Sequence, residues 1–334
     1  MTDVESQTDS GGVRHGTWWN DLAGLYAASW EGVIRARELV RLGVPERTTY
    51  RRTQEDGPWT LLLPATIKLS NGTPTRRELE IAALVYAGPG AVLTGLGAAR
   101  HHGIRRGDDP ETVHVLVSND RQITSAGHVI VERTRRLPKA VVRDGLPVAP
   151  LARCLMDHAR RMKDLAAIAA LFTEAVQRRM LTAEMLRAEL DRASRKGTAA
   201  PRRVLAAVDD GVLSPAEFEA REFWNSIDDL PAISWNVTVY DERGRFVATV
   251  DGLVEELGFV WEIDSVEQHF ATPEQVRETV ERQRCLRAVG LHVLSTRPSQ
   301  RRDDPDGVAA DIHAGLEIAR LLPPPRIRLV SLSA

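Results

Sequence analysis

Hydrophobic and polar positions in the first quarter of the chain follow the period of short helices and then of strands. From residue 30, the stretch WEGVIRARELVRLG places four apolar side chains near one helical face: Val33, Leu39, Val40 and Leu42. Gly43 follows as a helix-ending glycine, and Pro45 and Gly57 bracket a second predicted helix over residues 45–56. The β-rich run WTLLLPATIKL and the turn SNGTP come next. The pattern therefore predicts a helix, a short turn, an Arg/Thr-rich helix and a hairpin.

The middle of the chain mixes both periodicities before it becomes helical. The stretches RRELEIAALVYA and AVLTGLGAARHHGI predict helices, the second after a short apolar start, whereas TVHVLVS and GHVIVERT predict strands. Later stretches are mainly helical, with Thr182 as a helix N-cap and SRKGTAAPRR as a linker or loop. We therefore expect a mixed α/β region over residues 75–150 and a helical segment with a linker over residues 151–212.

A further domain is predicted over residues 213–322. Ser214 and Glu217 have the spacing of a capping box at the start of a helix. Three strands are predicted from SWNVTVY, GRFVATVDGLV and GFVWEIDSV, followed by the amphipathic helix PEQVRETVERQRCLRAVG, the strand LHVLST and a last helix. A polar leader over residues 1–28 and a tail over residues 323–334 flank the domains. The expected fold class is α/β of the multidomain α+β kind, with a mixed sheet flanked by helices in the last domain.

Composition narrows the class of protein only slightly. The 334 residues carry 44 basic and 46 acidic side chains, so any binding to nucleic acid must depend on local clusters of basic residues. No apolar run approaches the ~18 residues that span a bilayer, and the acidic start MTDVESQTDSGG lacks the features of a signal peptide. Cys154 and Cys285 form no metal-ligand spacing. We expect a cytoplasmic protein without a membrane partner.

The second N-terminal helix carries the candidate DNA-binding residues. Five of its side chains are expected to be exposed, and Tyr50 is the residue expected to face inward: the exposed set is Arg47, Thr48, Thr49, Arg51 and Arg52. The predicted element order over residues 29–74 is that of a winged helix-turn-helix. In that fold the second helix enters the major groove of double-stranded DNA, where Arg and Thr contact bases and phosphates. The alternative interpretation is a solvated, arginine-rich helix.

Carboxylates in the predicted strands of the last domain are the candidate catalytic and metal-binding residues. Asp251 ends one predicted strand and Glu262 lies on its hairpin partner, so the two can meet, because adjacent strands are about 4.8 Å apart. Asp264 shares a face with Glu262, Glu217 can arrive from the preceding helix, and His269 follows the strand. Phosphodiester hydrolysis by a divalent metal requires carboxylates that converge in this way. Buried acids otherwise need positive compensation.

The stretches SPAE, TVD, WEIDSVEQH and ERQRCLRAVGLHVLS stand in the order of a known nuclease fold. This part of the chain resembles the restriction-endonuclease-like, or PD-(D/E)xK, fold, and more closely the DUF559 group related to very-short-patch-repair endonucleases. The matching residues are Glu217, Asp251, Glu262, Asp264, His269, Arg282, Leu286 and Gly290. The resemblance implies that Asp251 and Glu262 ligate Mg²⁺ or Mn²⁺, with Glu217 helping directly or through water. It also implies that His269 or Asp264 acts as the base or orients the water.

The chain departs from the nuclease pattern at three positions. Asp264 stands where the catalytic lysine usually lies, as it often does in the DUF559 group. Ser265 replaces a glycine, and Thr279 replaces an acid one turn before Arg282. These departures put catalytic activity in doubt without changing the predicted fold.

A nuclease fold retained as a scaffold without metal is therefore the alternative interpretation. In that case Arg282 or Arg284 compensates the negative charge of Asp251 and Glu262. An acid cluster that holds no metal carries like-charge repulsion, and its carboxyl groups are expected to have raised pKa values.

The first part of the chain resembles AbiEi-type antitoxins, which are autoregulatory winged-helix proteins. Besides the predicted helix over residues 45–56, four stretches carry this resemblance: AVLTGLGAARHHGI, VHVLVS, VIVERTRRLP and GLPVAPLARCLMDHA. The resemblance implies a DNA-binding transcriptional regulator of a toxin–antitoxin system, with a cognate toxin as a second partner. Three interpretations stay open: a regulator with a degenerate nuclease domain, an active Mg²⁺-dependent DNA endonuclease targeted by the winged helix, and a protein-interaction module.

Overall fold

The computed structural model describes residues 21–210, 212, 214–264 and 273–330. Within these ranges, helices combine with three antiparallel or mixed β-sheets into an α+β fold, so the predicted fold class is confirmed. The chain divides into two compact units, residues 1–158 and residues 159–334. The predicted regions 29–74 and 75–150 therefore share the first unit, and the predicted nuclease-like domain lies in the second.

The first unit begins with a small helical and antiparallel arrangement. Its elements are α1 (Leu22–Ala27), β1 (Val33–Arg35), α2 (Ala36–Arg41), α3 (Glu46–Arg51), β2 (Thr60–Leu63) and β3 (Thr66–Lys68). The sheet has the order β1-β3-β2, with both pairs antiparallel. A buried apolar cluster holds it together and contains Leu25, Ile34, Leu39, Val44, Trp59 and Ile67. The predicted order of helix, turn, helix and hairpin is present, with one more strand before α2.

Two predicted helix boundaries in this region are wrong. The helix predicted from residue 30 begins only at Ala36, because the preceding residues pair with β3 as a strand, which local periodicity does not reveal. The helix predicted to reach residue 56 ends at Arg51, where the chain turns and the Trp59 amide donates to the Arg52 carbonyl oxygen (3.0 Å). Of the predicted leader, residues 1–20 lie outside the described residues, and α1 occupies most of the rest.

The rest of the first unit is a mixed sheet with helices. Its elements are α4 (Arg76–Ala87), β4 (Val92–Thr94), α5 (Gly95–His101), β5 (Val113–Ser118), β6 (Val129–Thr134), β7 (Val141–Arg143), β8 (Leu146–Val148) and α6 (Leu151–Ala159). The sheet order is β6-β5-β4-β8-β7, with β5 parallel to β6 and β4 parallel to β8. A capping box between Thr75 and Glu78 starts α4. The predicted helices and strands are confirmed here, whereas the short β7–β8 hairpin was not predicted.

The second unit begins with helices: α7 (Leu165–Gln177), α8 (Ala183–Arg192), α9 (Ala199–Asp209) and α10 (Pro215–Trp224). Thr182 is the N-cap of α8, as predicted, and Ser214 caps α10 by accepting from the Glu217 amide at 3.1 Å. The predicted linker SRKGTAAPRR is wrong in its second half, because α9 begins at Ala199. That helix forms because it buries Val204 and Leu205.

A five-stranded sheet forms the remainder of the second unit. Its elements are β9 (Ser234–Asp241), β10 (Phe246–Val254), β11 (Phe259–Ile263), α11 (Pro273–Ala288), β12 (His292–Thr296), α12 (Pro298–Asp303), α13 (Pro305–Leu321) and β13 (Ile327–Val330). The strand order is β12-β11-β10-β9-β13; β11 and β12 are parallel and the other neighbours antiparallel. The segment predicted as a tail therefore contains an edge strand, because β13 pairs with β9 from far along the chain.

Aromatic and aliphatic side chains fix α10 and α11 on this sheet. Trp224 of α10 lies 5.6 Å from Trp261 of β11 between ring centroids. Leu286 of α11 belongs to the buried cluster that contains Val250 and Val260. These two helices thus bring polar side chains to the middle of the sheet. Among the described residues, no helix combines the length and apolar composition required to cross a bilayer.

Candidate functional site

The register of the last sheet brings the predicted acids to one place. Gly252 of β10 pairs with Trp261 of β11, so that Asp251 lies directly opposite Glu262. Val250 pairs with Val237 of β9, which brings Asn236 opposite Asp251 from the other side. Three polar residues therefore stand in a row across three neighbouring strands. We call Glu217, Asp251, Glu262 and Asp264 the acid cluster.

Glu217 joins this row from α10, as the sequence predicts. Its Oε2 accepts a hydrogen bond from Nδ2 of Asn236 at 2.5 Å. Asn236 has a positive φ of 50° inside a strand, a conformation that non-glycine residues rarely adopt and that asparagine tolerates best. Strained backbone of this kind is concentrated at functional sites. The sequence pattern did not single out Asn236, because an asparagine in a β-rich run carries no signal of its backbone conformation.

Asp251 lies inside β10 rather than at its end, and the predicted strand GRFVATVDGLV already extends past this residue. β10 continues to Val254, and the pairing of its last residues with β11 extends the strand past the acid. Asp251 Oδ2 accepts from the backbone N–H of Ile263 at 2.7 Å. Asp264 follows at the end of β11, where its own N–H donates to the Thr296 carbonyl oxygen at 3.0 Å. His269 and Ser265 lie outside the described residues.

Two carboxyl groups of the acid cluster, those of Asp251 and Glu262, have raised pKa values. Burial raises the pKa of Glu262 to about 7, the charge of Asp251 adds to this effect, and Arg282 opposes it. The pKa of Asp251 is also raised, first by burial and then by Glu217 and Asp264, against the Ile263 N–H and Arg282. Raised pKa values are thus present at Asp251 and Glu262, with burial as the larger cause and like charge as the smaller one. Negative charge is in excess here.

Arg282 of α11 supplies the positive charge next to the cluster. Its Nη2 lies 2.9 Å from each carboxylate oxygen of Glu262, whose side chain is only 12% exposed. The same nitrogen donates to the Thr249 carbonyl oxygen. Arg284, the other arginine considered from the sequence, forms an ion pair with Glu281 on its own helix, so its charge is compensated there and not by the acid cluster. The arrangement thus contains the compensating arginine of the scaffold interpretation.

The fit of a divalent metal to these residues is partial. Carboxylate oxygens are the hard ligands that Mg²⁺ prefers, and two neighbouring acids with raised pKa values gain from a cation. However, no group of three or more His, Cys, Asp or Glu side chains within the described ranges is arranged to hold a metal ion. Both Glu262 oxygens also contact Arg282. Asp251 and Glu262 are therefore the residues that would hold a metal, with Glu217 nearby.

The predicted DNA-binding helix exposes a different set of side chains from the one expected. Arg47 and Arg51 are exposed and Thr48 is half-buried, whereas Thr49 is completely buried. The prediction that Thr49 is exposed for contact with DNA is therefore wrong, because α3 packs on α2 and places this side chain inside. Tyr50, expected to face inward, is instead exposed.

Arg52 is the second correction in this helix. Its guanidinium lies 4.6 Å from the centroid of the Trp59 ring, in a cation–π contact, and the side chain is half-buried. Arg52 thus supports the packing of the hairpin rather than an exposed surface. The exposed candidates for contact with DNA are Arg47, Tyr50 and Arg51.

Comparisons with known proteins identify no family. No protein-family model and no curated protein matches the chain. A solved structure with some similarity is the crystal structure of RV2827C protein from Mycobacterium tuberculosis, with 16% sequence identity and a TM-score of 0.41. The similarity covers 63% of this chain and 83% of that chain. Similarity at this level shows neither a family nor a function.

Proposed function

We propose that the protein binds double-stranded DNA through its first unit and acts as a transcriptional regulator of the antitoxin type. The observation that carries the proposal is the order α2, turn, α3, hairpin, with two arginines and a tyrosine exposed on α3. A toxin partner belongs to the same proposal and rests on the resemblance alone, whereas the proposed cytoplasmic location rests on the polar, acidic start of the sequence.

The chemistry of α3 supports contact with a duplex. Arginine donates in a planar fork that matches phosphate oxygens and the edge of guanine. Tyr50 carries a hydroxyl that can donate to phosphate, and such contacts position a protein on DNA without reading its sequence. Arg47 and Arg51 are one helical turn apart, so both project from the same side of a six-residue helix.

Removal of both arginines tests the proposal. The double variant Arg47→Ala, Arg51→Ala is expected to lose at least about tenfold in affinity for duplex DNA, and the slope of log K against log salt should fall by about two. Fluorescence anisotropy between about 50 and 200 mM salt measures both quantities. The matched control is Arg284→Ala, Arg320→Ala, which removes the same charge from exposed helix surfaces of the second unit. Equal affinity of the two double variants would show that α3 does not contact DNA.

A second candidate function is Mg²⁺-dependent hydrolysis of DNA by the acid cluster. The observation in its favour is the placement of Asp251 opposite Glu262, with Glu217 held nearby by Asn236. A metal bound there would lower the pKa of a water ligand and stabilise negative charge on phosphate. Asp264, next to the pair, is the described candidate for orienting the water, and Arg282 holds Glu262 in place.

Metal binding separates this candidate from a scaffold without metal. Calorimetry with Mn²⁺ is expected to show one site in the natural protein and none in Asp251→Ala, and plasmid nicking should require the same residue. Glu256→Ala is the control, because Glu256 is an exposed acid in the turn of the same hairpin. If the natural protein binds no Mn²⁺ at millimolar concentration, the acids and Arg282 form a scaffold and the nuclease function is excluded.

A further inference from the structure

A cavity of about 400 Å³ lies in the first unit, beside the β2–β3 turn and the end of α4. Three arginines, Arg35, Arg37 and Arg121, line it together with Tyr86, and none of its lining residues is acidic. Its size falls within the range of small-molecule sites, roughly 300 to 1,000 Å³. It is separate from the acid cluster, which belongs to the second unit.

Arg35 is the unusual residue of this cavity. It is half-buried, yet within the described residues no carboxylate lies at ion-pair distance from its guanidinium. Its partners are neutral: Nη1 donates to Thr66 Oγ1 at 3.2 Å, to the Pro64 carbonyl oxygen at 3.4 Å and to that of Tyr86 at 3.5 Å, and the guanidinium lies 5.8 Å from the centroid of the Tyr86 ring. Burial, followed by the charge of Arg37, lowers the pKa of Arg35. A charge in this position is costly unless an anion pairs with it.

The neighbouring arginines leave positive charge in excess. Arg121 donates from Nη2 to the Ala87 carbonyl oxygen (2.7 Å) and from Nη1 to that of Pro89 (3.3 Å), which covers the end of α4. Gly88 makes this approach possible, because a Cβ at its φ of 82° would lie 2.6 Å from Arg121 Nη2. A helix end carries only about half a negative charge, so two arginines exceed what α4 requires. Arg37 also lines the cavity but forms an ion pair with Glu38 at 3.2 Å, so the excess charge comes from Arg35 and Arg121.

We propose that this arginine pocket binds a phosphate group. Guanidinium groups are the side chains best matched to phosphate oxygens, and the unused donors of Arg35 supply an unpaired positive charge within the cavity. The phosphate belongs either to a small phosphorylated molecule, such as a nucleotide, or to the backbone of a bound duplex. Both sources present the same group to Arg35, and the experiment separates them.

The full-length protein is titrated with 5′-AMP and with inorganic phosphate by calorimetry, and with duplex DNA by anisotropy. Arg35→Met is expected to weaken binding at the pocket at least tenfold, and Arg37→Gln to weaken it several-fold. Arg284→Met, an exposed arginine of the second unit, is the matched control and should bind as the natural protein does. Without ligand, Arg35→Met should unfold at the same temperature as the natural protein or higher, because it removes an uncompensated charge. A purely structural Arg35 would instead give a lower temperature.

Two outcomes support the pocket and one overturns it. Saturable binding of 5′-AMP or phosphate that is lost in Arg35→Met identifies a small phosphorylated ligand. No binding of either probe, with duplex affinity reduced tenfold in Arg35→Met and a shallower salt dependence, identifies the DNA backbone. If Arg35→Met and Arg37→Gln bind all three probes like the natural protein, the pocket is not a phosphate site. The last result would not affect the proposed role of α3, which depends on Arg47 and Arg51.

Discussion

Glu80 in the first unit is buried and Glu262 in the second is largely buried, but the charges next to the two side chains differ. Glu80 of α4 is 3% exposed and contacts Arg76 Nε at 3.1 Å and His101 Nε2 at 2.9 Å. His101 in turn contacts Asp144 through Nδ1 at 2.6 Å. Charges of alternating sign therefore surround Glu80. Glu262 has Arg282 on one side but Asp251 on the other, and its pKa rises to about 7.

The two glutamates therefore differ in whether the charges next to them are opposite or like in sign. In the network around Glu80 each acid pairs with a base. The hydrogen bonds from Glu80 and Asp144 raise the pKa of His101. In the second unit Asp251 faces Glu262 across adjacent strands, which costs stability that Arg282 offsets only in part and that protonation or an added cation can recover. Three predictions follow from the comparison.

The largest effect is expected at the structural glutamate. Glu80→Ala should destabilise the first unit by about 3 kcal/mol, because it removes a buried carboxylate that pairs with the largely buried His101 and with Arg76, which is partly exposed. Urea unfolding monitored by far-UV circular dichroism measures the change, and hydrogen exchange at the amides of α4 assigns it to the first unit. Glu256→Ala, at an exposed position, should change stability by less than about 0.5 kcal/mol. A loss as small as that in Glu80→Ala would mean that the network around Glu80 is not structural.

At Glu262 the opposite effect is expected: removal of the negative charge should raise the stability of the protein. Its folded-state pKa of about 7 exceeds the ordinary value of 4.5, so the folded state binds more protons between these values. Stability is therefore expected to fall as pH rises from 4.5 to 7, and the full cost is present above pH 7. Glu262→Gln imitates the protonated form and should stabilise the protein by about 2 kcal/mol at high pH, with no gain below the window. Thermal and urea unfolding at several pH values measure the difference.

The pH dependence of His101 gives this experiment an internal control. Because the pKa of His101 is raised above 6.5, its stabilising contribution is complete below that pH and is lost as pH rises through the folded-state pKa. Glu262→Gln should flatten the slope between 4.5 and 7 and leave the slope at higher pH intact. A variant that is less stable than the natural protein at pH 8 would show that the contact with Arg282 outweighs the repulsion from Asp251.

The meeting of the acids was predictable from the sequence, whereas their exact setting was not. The spacing of Asp251 and Glu262 in two runs of strand period predicts a hairpin that pairs them, and the register confirms this. The hydrogen bond from Asn236 of β9 to Glu217 of α10 depends on tertiary packing, which local pattern does not contain. The edge strand β13 was missed for the same reason, since its partner β9 lies far away in sequence.

The arginine pocket could not be predicted from local sequence patterns. Arg35 and Arg121 are far apart along the chain and meet only through the packing of α4, the β2–β3 turn and the loop after β5. In α3, the arginines and threonines predicted a polar helix, but which of them face inward depends on how a six-residue helix packs on α2. Composition supplied the side chains, and tertiary packing decided which are exposed.

The smallest effect is expected at Thr49, where a buried polar group has neither a partner nor a repelling neighbour. Its Oγ1 finds no hydrogen-bond partner among the described residues, and the side chain is completely buried. Thr49→Val replaces the hydroxyl by a methyl group of similar size and should stabilise the first unit by about 1 kcal/mol, because an unsatisfied hydroxyl is costly inside a protein. Thermal unfolding measures this gain. Duplex affinity should stay unchanged, in contrast to the loss in Arg47→Ala, Arg51→Ala. Reduced affinity with unchanged stability would instead mean that Thr49 contacts DNA and that α3 turns this face outward on binding.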